Sequence, residues 1–316
     1  MMKLKITLLI CLYTVLLRAQ THKFVAVELN IPSEKVIVNG TLLSPEVTRN
    51  VPLVIIIPGS GLSDRDGNQV GAKGNSLKYL AEGFASNDIA SYRFDKSTIV
   101  LAKKEGFKED AINFDDFITD AVNVIRYFKT QNEFSKIIIA GHSQGSLVGM
   151  VASEVGANAF ISLAGAGRSI DEIITEQVVK QSPMFKDDIA KTFGILHTGK
   201  IDENFNPLLT SIFRKSLQPF WMSWMKYNPQ EEIKKLNIPI LIINGTKDIQ
   251  VPVSDAKLLH KANAKSELHL IENMNHVFKE VTVDGRIENI ATYSKTDLPT
   301  MIELIDVITK FVNRIK

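Results

Sequence analysis

The chain has 316 residues, 45% of them hydrophobic, with 18 Gly and 11 Pro, an ordinary globular composition that excludes a disordered or fibrous chain. A formal net charge of +2 without any basic cluster excludes the electrostatic footprint of a nucleic-acid binder. A single cysteine, Cys11, excludes an intrachain disulfide.

The first residues read as a secretory signal peptide over 1–19. Lys3 and Lys5 precede the apolar run Ile6–Leu17, which is too short to cross a bilayer comfortably, and Leu17-Arg18-Ala19 offers cleavage near Ala19 or Gln20. Residues 1–19 hold Lys3, Lys5, Arg18 and no acid, so their removal takes the formal charge from +2 to −1 and removes the only cysteine. An exported protein, periplasmic or secreted, is expected, with no stable membrane insertion of the mature chain.

From Phe24 the pattern turns to strands. Phe24–Leu29 alternates, and Lys35–Leu43 reads as two short strands around Asn39-Gly40, a hairpin signal. The run VPLVIII at 51–57 is continuously apolar, as expected of a strand buried on both faces, and ends at Pro58-Gly59-Ser60-Gly61. A helix over roughly 76–86, a strand over 89–94 and a helix over 115–129 follow. Then come the strand Ile137-Ile138-Ile139-Ala140, a helix over 146–155, and a strand over 159–163. This alternation implies a mostly parallel, doubly wound α/β sheet. Between 168 and 236 it pauses in several amphipathic helical patterns rich in Met and aromatics, read as a helical cap inserted into a domain spanning 20–316. It resumes with strands at 238–244 and 267–271, a helix over 253–262 and a last helix over 298–315; residues 281–294 are read as a loop.

Chemistry concentrates at the turn Gly141-His142-Ser143-Gln144-Gly145, a G-x-S-x-G between strand and helix. Such a bend stands a serine hydroxyl clear of both elements, at the positive end of the helix dipole. A serine nucleophile needs a base, and the base needs an orienting acid. Both belong beyond the C-terminal ends of strands in an open α/β sheet. Asp248 and His276 occupy those positions, in the chain order Ser143, Asp248, His276. Asp255 and Glu272 are the alternative acids. His22, His142, His197, His260 and His269 fit the base less well by position. The Gln144 and Ser60 amides are the expected oxyanion donors, with Gly61 beside Ser60 as a substitute that also touches substrate. Phe220, Trp221 and Trp224 are candidates to line the substrate pocket, or simply the core of the cap. Asp64-Arg65-Asp66-Gly67-Asn68 lacks calcium-loop spacing and reads as a loop braced by its own Asx hydrogen bonds and by an Arg65–carboxylate pair. No cofactor or metal is expected.

Four segments together resemble the α/β-hydrolases of the bacterial esterase and serine-aminopeptidase-like group: Pro58-Gly59-Ser60-Gly61-Leu62-Ser63-Asp64-Arg65-Asp66-Gly67-Asn68, Tyr92-Arg93-Phe94-Asp95-Lys96, Gly141–Gly145 and Gly245-Thr246-Lys247-Asp248. The resemblance covers roughly Val36 to the C-terminus. It implies a serine hydrolase of small-molecule carboxylic esters with Ser143, Asp248 and His276 as its triad and an acyl-enzyme intermediate. Pro58 departs from the group, in which a histidine often precedes the oxyanion glycine. An aminopeptidase or amidase using the same triad would need acidic cap residues for a substrate amine. A non-catalytic binding protein on a hydrolase scaffold would be expected to lack part of the triad.

Overall fold

A computed structural model describes residues 24–46 and 50–315; the expected leader lies outside the described residues. Eight strands form one sheet: β1 (Phe24–Pro32), β2 (Ile37–Pro45), β3 (Leu53–Ile57), β4 (Ala90–Phe94), β5 (Ile137–His142), β6 (Ala159–Leu163), β7 (Ile240–Gly245) and β8 (Glu267–Ile271). Their order across the sheet is β1-β2-β4-β3-β5-β6-β7-β8. The β1–β2 and β2–β4 pairs are antiparallel and all others parallel.

The continuous apolar runs follow from burial on both faces. Leu53, Ile55 and Ile57 of β3 join Ile137 and Ile139 of β5 in one core, while Val54, Ile56, Ile138 and Ala140 point into the other. Each such Val, Leu or Ile side chain, fully buried, contributes roughly 1.5–3 kcal/mol. Helices Ser76–Ala85 and Ile302–Arg314 close the second face with Leu77, Leu80, Phe84, Leu304, Ile308 and Phe311. Helices Phe114–Gln131, Gln144–Ser153 and Val253–Ala262 close the first. Asn113 starts the longest of these with a reciprocal capping box to Asp116.

Two expectations are corrected. Asn39-Gly40 makes no turn, because β2 runs straight through it; the hairpin turns at 33–36, between Pro32 and its partner Ile37. Gly40 is glycine for another reason: a Cβ there would overlap the Tyr92 ring, whose hydroxyl donates to the Leu29 carbonyl at 2.9 Å. The segment read as a loop at 281–294 contains the helix Arg286–Ala291. It lacks an apolar stripe, since Ile287 and Ile290 are exposed, and is held through buried Asn289.

Between β6 and β7 lie helices Ile170–Gln181, Lys186–His197, Thr210–Phe213, Gln218–Trp224 and Pro229–Lys235, and no strand. Ile189, Phe193, Leu196, Leu209 and Phe213 form a small core of their own there. The last helix instead buries Ile233 in the main core. Among the described residues no helix is long and apolar enough to cross a membrane.

Candidate active site

Ser143 sits at φ 54° and ψ −120°, a strained conformation for a residue with a Cβ. The bend is possible because of its glycines. A Cβ on Gly141 would overlap the Gly145 carbonyl, and one on Gly145 would overlap the Ile57 carbonyl and lie 2.6 Å from that of Pro58. The Ser143 amide is tied to the Leu163 carbonyl at 2.9 Å, so the elbow is fastened to β6 as well. The Gln144 amide opens the following helix, where first-turn N–H groups have no intrahelical partner.

Asp248 and His276 come together. His276 Nδ1 lies 2.8 Å from Asp248 Oδ2, with both side chains almost wholly buried. The other carboxylate oxygen, Oδ1, accepts the Gln250 and Val251 amides at 2.8 and 2.9 Å, so only Oδ2 is left to face the imidazole. The two loops are locked against each other. The Lys247 amide donates to the Met274 carbonyl at 3.0 Å, and a Cβ on Gly245 would overlap that same carbonyl.

The alternatives fall elsewhere. Asp255 is buried under Arg168 and the Gly167 amide, and Glu272 is exposed. His197 pairs with Asp171, His260 with Ser266 and His269 with Glu303, while His22 lies outside the described residues. His142 is buried beside the site. Its Nε2 donates to the His276 carbonyl at 2.9 Å, and its ring centroid is 4.9 Å from that of His276. Burial, and then His276 itself, push the His142 pKa down to about 3, so it stays neutral.

Three neighbouring cavities, all lined by Ser60, converge on the elbow. One of about 120 Å³ is lined by Ser143, His276, Gly59 and Ser60. A second, of about 210 Å³, also reaches Ser143 and is walled by Leu147, Ile170, Ile173, Trp221 and Trp224. The third, about 450 Å³, runs from Ser60, Gly61 and Gln144 between Phe107, Phe117, Phe220 and the two tryptophans. Trp221 and Trp224 stack at 5.9 Å, line two of these cavities and also pack into the protein's cores.

Two further sets of residues brace the site: Asn275, which no motif marks, and Lys96, whose segment carries part of the resemblance but implies no role for it. Asn275 accepts the Val277 and Lys279 amides, and its own amide reaches Asn289 and Thr292, which fixes the His276 backbone. Lys96 reaches both the Gly59 carbonyl and Gln144 Oε1. The segment 64–68 is braced as expected: Asp64 Oδ1 accepts the Asp66 and Asn68 amides, and Arg65 pairs with Asp95 and Glu28.

A mostly parallel sheet with helices on both faces and a strand–elbow–helix serine beyond β5 defines an α/β-hydrolase fold. More narrowly, the chain belongs to the BD-FAE family, whose model matches residues 41–262, a span holding Ser143 and Asp248. It is 23% identical over 253 residues to Esterase EstD of Thermotoga maritima, covering 75% of this chain and 57% of that protein. The chain thus spans little more than half the length of that relative. Among solved structures it resembles Est1E from Butyrivibrio proteoclasticus, with TM-score 0.58 and 19% identity over 90% of this chain and 97% of that one. It also resembles an esterase of Pyrococcus furiosus, with TM-score 0.55 and 17% identity over 92% and 91% of the two chains.

Proposed function

We propose that this chain hydrolyses small-molecule carboxylic esters through a Ser143-His276-Asp248 triad and an acyl-enzyme intermediate. The observation that carries the reading is the dry His276–Asp248 contact at 2.8 Å, on an imidazole that shares a cavity with Ser143. In this reading His276 Nε2 takes the Ser143 proton as Oγ attacks the ester carbonyl. The Ser60 and Gln144 amides stabilise the oxyanion, and the proton passes to the departing alkoxide. Water, activated the same way, then releases the acid. Asp248 keeps the second imidazole proton on Nδ1 throughout. The two apolar cavities flanked by Trp221 and Trp224 are suited to the acyl and alcohol groups. The family and its named esterase relatives support the same chemistry.

Acidic residues weigh against the amidase reading. Of the acidic cap residues available to a substrate amine, Asp171, Asp188, Asp202, Glu176 and Glu203 are engaged by neighbouring side chains, while Glu172 and Asp187 are exposed and line none of the three cavities. Among the described residues the only acid lining the three cavities is Glu109, which is paired with Arg214. Export on the 1–19 leader belongs to the same proposal, supported by the charged and then apolar start of the sequence. The test is hydrolysis of p-nitrophenyl butyrate together with fluorophosphonate labelling. Wild type should turn over and be labelled, while Ser143→Ala should do neither; a Ser143→Ala protein active at the wild-type rate rules the mechanism out.

A further inference from the structure

We propose that Lys96 is a positioning residue of the oxyanion hole, aiming the Ser60 and Gln144 donors and placing a buried positive charge behind them. The inference rests on the ester-hydrolase reading above.

Lys96 lies two residues beyond the end of β4 and is only 6% exposed. Its ammonium donates to Gln144 Oε1 at 2.6 Å and to the Gly59 carbonyl at 3.2 Å, and stands 4.2 Å from the Phe117 ring centroid. No acid answers it. Asp95 is bound by Arg65, Asp120 accepts from Ser33 at 2.5 Å, and Glu109 is paired with Arg214. Burying a cation without a counter-charge is costly, and burial pushes this ammonium's pKa down to about 7. The neighbouring apolar cores would be served as well by a methionine. A buried amine poised to be charged beside a serine nucleophile is accounted for if its counter-ion exists only during the reaction.

The geometry says how it acts. The Gly59 carbonyl belongs to the peptide whose N–H is that of Ser60. In a trans peptide the two point in opposite directions, so Lys96 on the carbonyl turns the Ser60 N–H the other way. The loop runs close to the nucleophile, since a Cβ on Gly59 would lie 3.3 Å from Ser143 Cβ. Hydrogen bonding at a carbonyl also polarises its amide and strengthens the N–H as a donor. Gln69 Nε2 holds the next carbonyl, that of Ser60, at 2.8 Å, so the whole turn is pinned. Through Gln144 the same ammonium reaches the residue that carries the second donor.

The test compares wild type, Lys96→Met and Lys96→Gln in kcat and KM on p-nitrophenyl butyrate and in inhibition by phenylboronic acid, which forms a tetrahedral anion on a reactive serine. Lys96→Met should lower kcat by about 10²-fold, a loss in the range seen on deleting one oxyanion donor, with KM within about threefold. Lys96→Gln keeps a donor but no charge and should lose at least about tenfold. Both should weaken phenylboronic acid by about the factor lost in kcat, a correlation that merely loosened packing would not produce. A folded variant with kcat within about twofold of wild type overturns the proposal, as does a kcat loss with unchanged boronate inhibition. If Lys96→Met does not fold, Lys96→Gln decides; unfolding of both would make Lys96 structural and also overturn it. A wild-type chain that neither turns over esters nor labels with fluorophosphonate fails the ester-hydrolase reading itself, a result distinct from the others.

Discussion

Replacing Asp248 by asparagine tests the site at its most constrained point. The substitution is nearly isosteric, yet the two side-chain atoms stop being equivalent. Oδ1 of Asp248 accepts two backbone amides, from Gln250 and Val251, and these can be answered only by an oxygen. The asparagine must therefore turn its carbonyl to them and its NH₂ to His276 Nδ1. That nitrogen would then have to accept, placing the ring proton on Nε2, where the Ser143 proton has to be received. In a Ser-His-Asp triad this wrong tautomer costs about 10⁴ in kcat, or about 5.4 kcal/mol of transition-state stabilisation. The contact is buried, so water offers the ring no alternative. The assay is kcat on p-nitrophenyl butyrate with the folded state followed by circular dichroism. A folded Asp248→Asn protein within tenfold of wild type refutes the tautomer argument.

Two further predictions concern stability. His142 titrates at about 3 when folded and near 6.5 when unfolded, so between those values the unfolded chain binds more protons and stability falls as the pH drops. The slope approaches about 1.4 kcal/mol per pH unit, so from pH 7 to pH 5 wild type should lose about 2 kcal/mol more than His142→Leu in urea titrations; equal losses would exclude His142 as the source. Gly40→Ala should cost more than about 2 kcal/mol by driving a Cβ into the Tyr92 ring, while Asn39→Ala should cost less than about 1 kcal/mol, both read from thermal unfolding. Comparable losses at the two positions would restore a turn at Asn39-Gly40.

The parts of the molecule legible in the sequence are those where one short stretch carries its own physical requirement. The buried strands 51–57 and 137–142 announce themselves because both faces need apolar residues, and the elbow because its bend admits only glycine at 141 and 145. Asp248 and His276 could be placed by strand ends alone. Where a residue's reason lies across the fold, the sequence misleads or is silent. Gly40 looks like a turn glycine because the Tyr92 ring that excludes its side chain is 52 positions away. The helix Arg286–Ala291 is silent because a buried asparagine holds it, not an apolar stripe.

The same distinction separates groups that react from groups that aim them. In the proposed mechanism each reacting or donating group sits beyond its own strand, but its direction is set from another. The Ser143 amide is tied to β6, the Asp248 loop to the segment after β8, and the Ser60 peptide to Lys96 after β4. Hydrogen bonds between loops thus contribute to the relative geometry of these strand ends. Activity should then be lost well before the fold is. The sheet's two cores can tolerate a broken loop contact, whereas a donor displaced by an ångström forfeits much of its effect on the oxyanion. Substitutions at Lys96 or Asp248 should thus separate kcat from Tm, whereas Gly40→Ala should lower Tm while leaving kcat of the folded fraction intact.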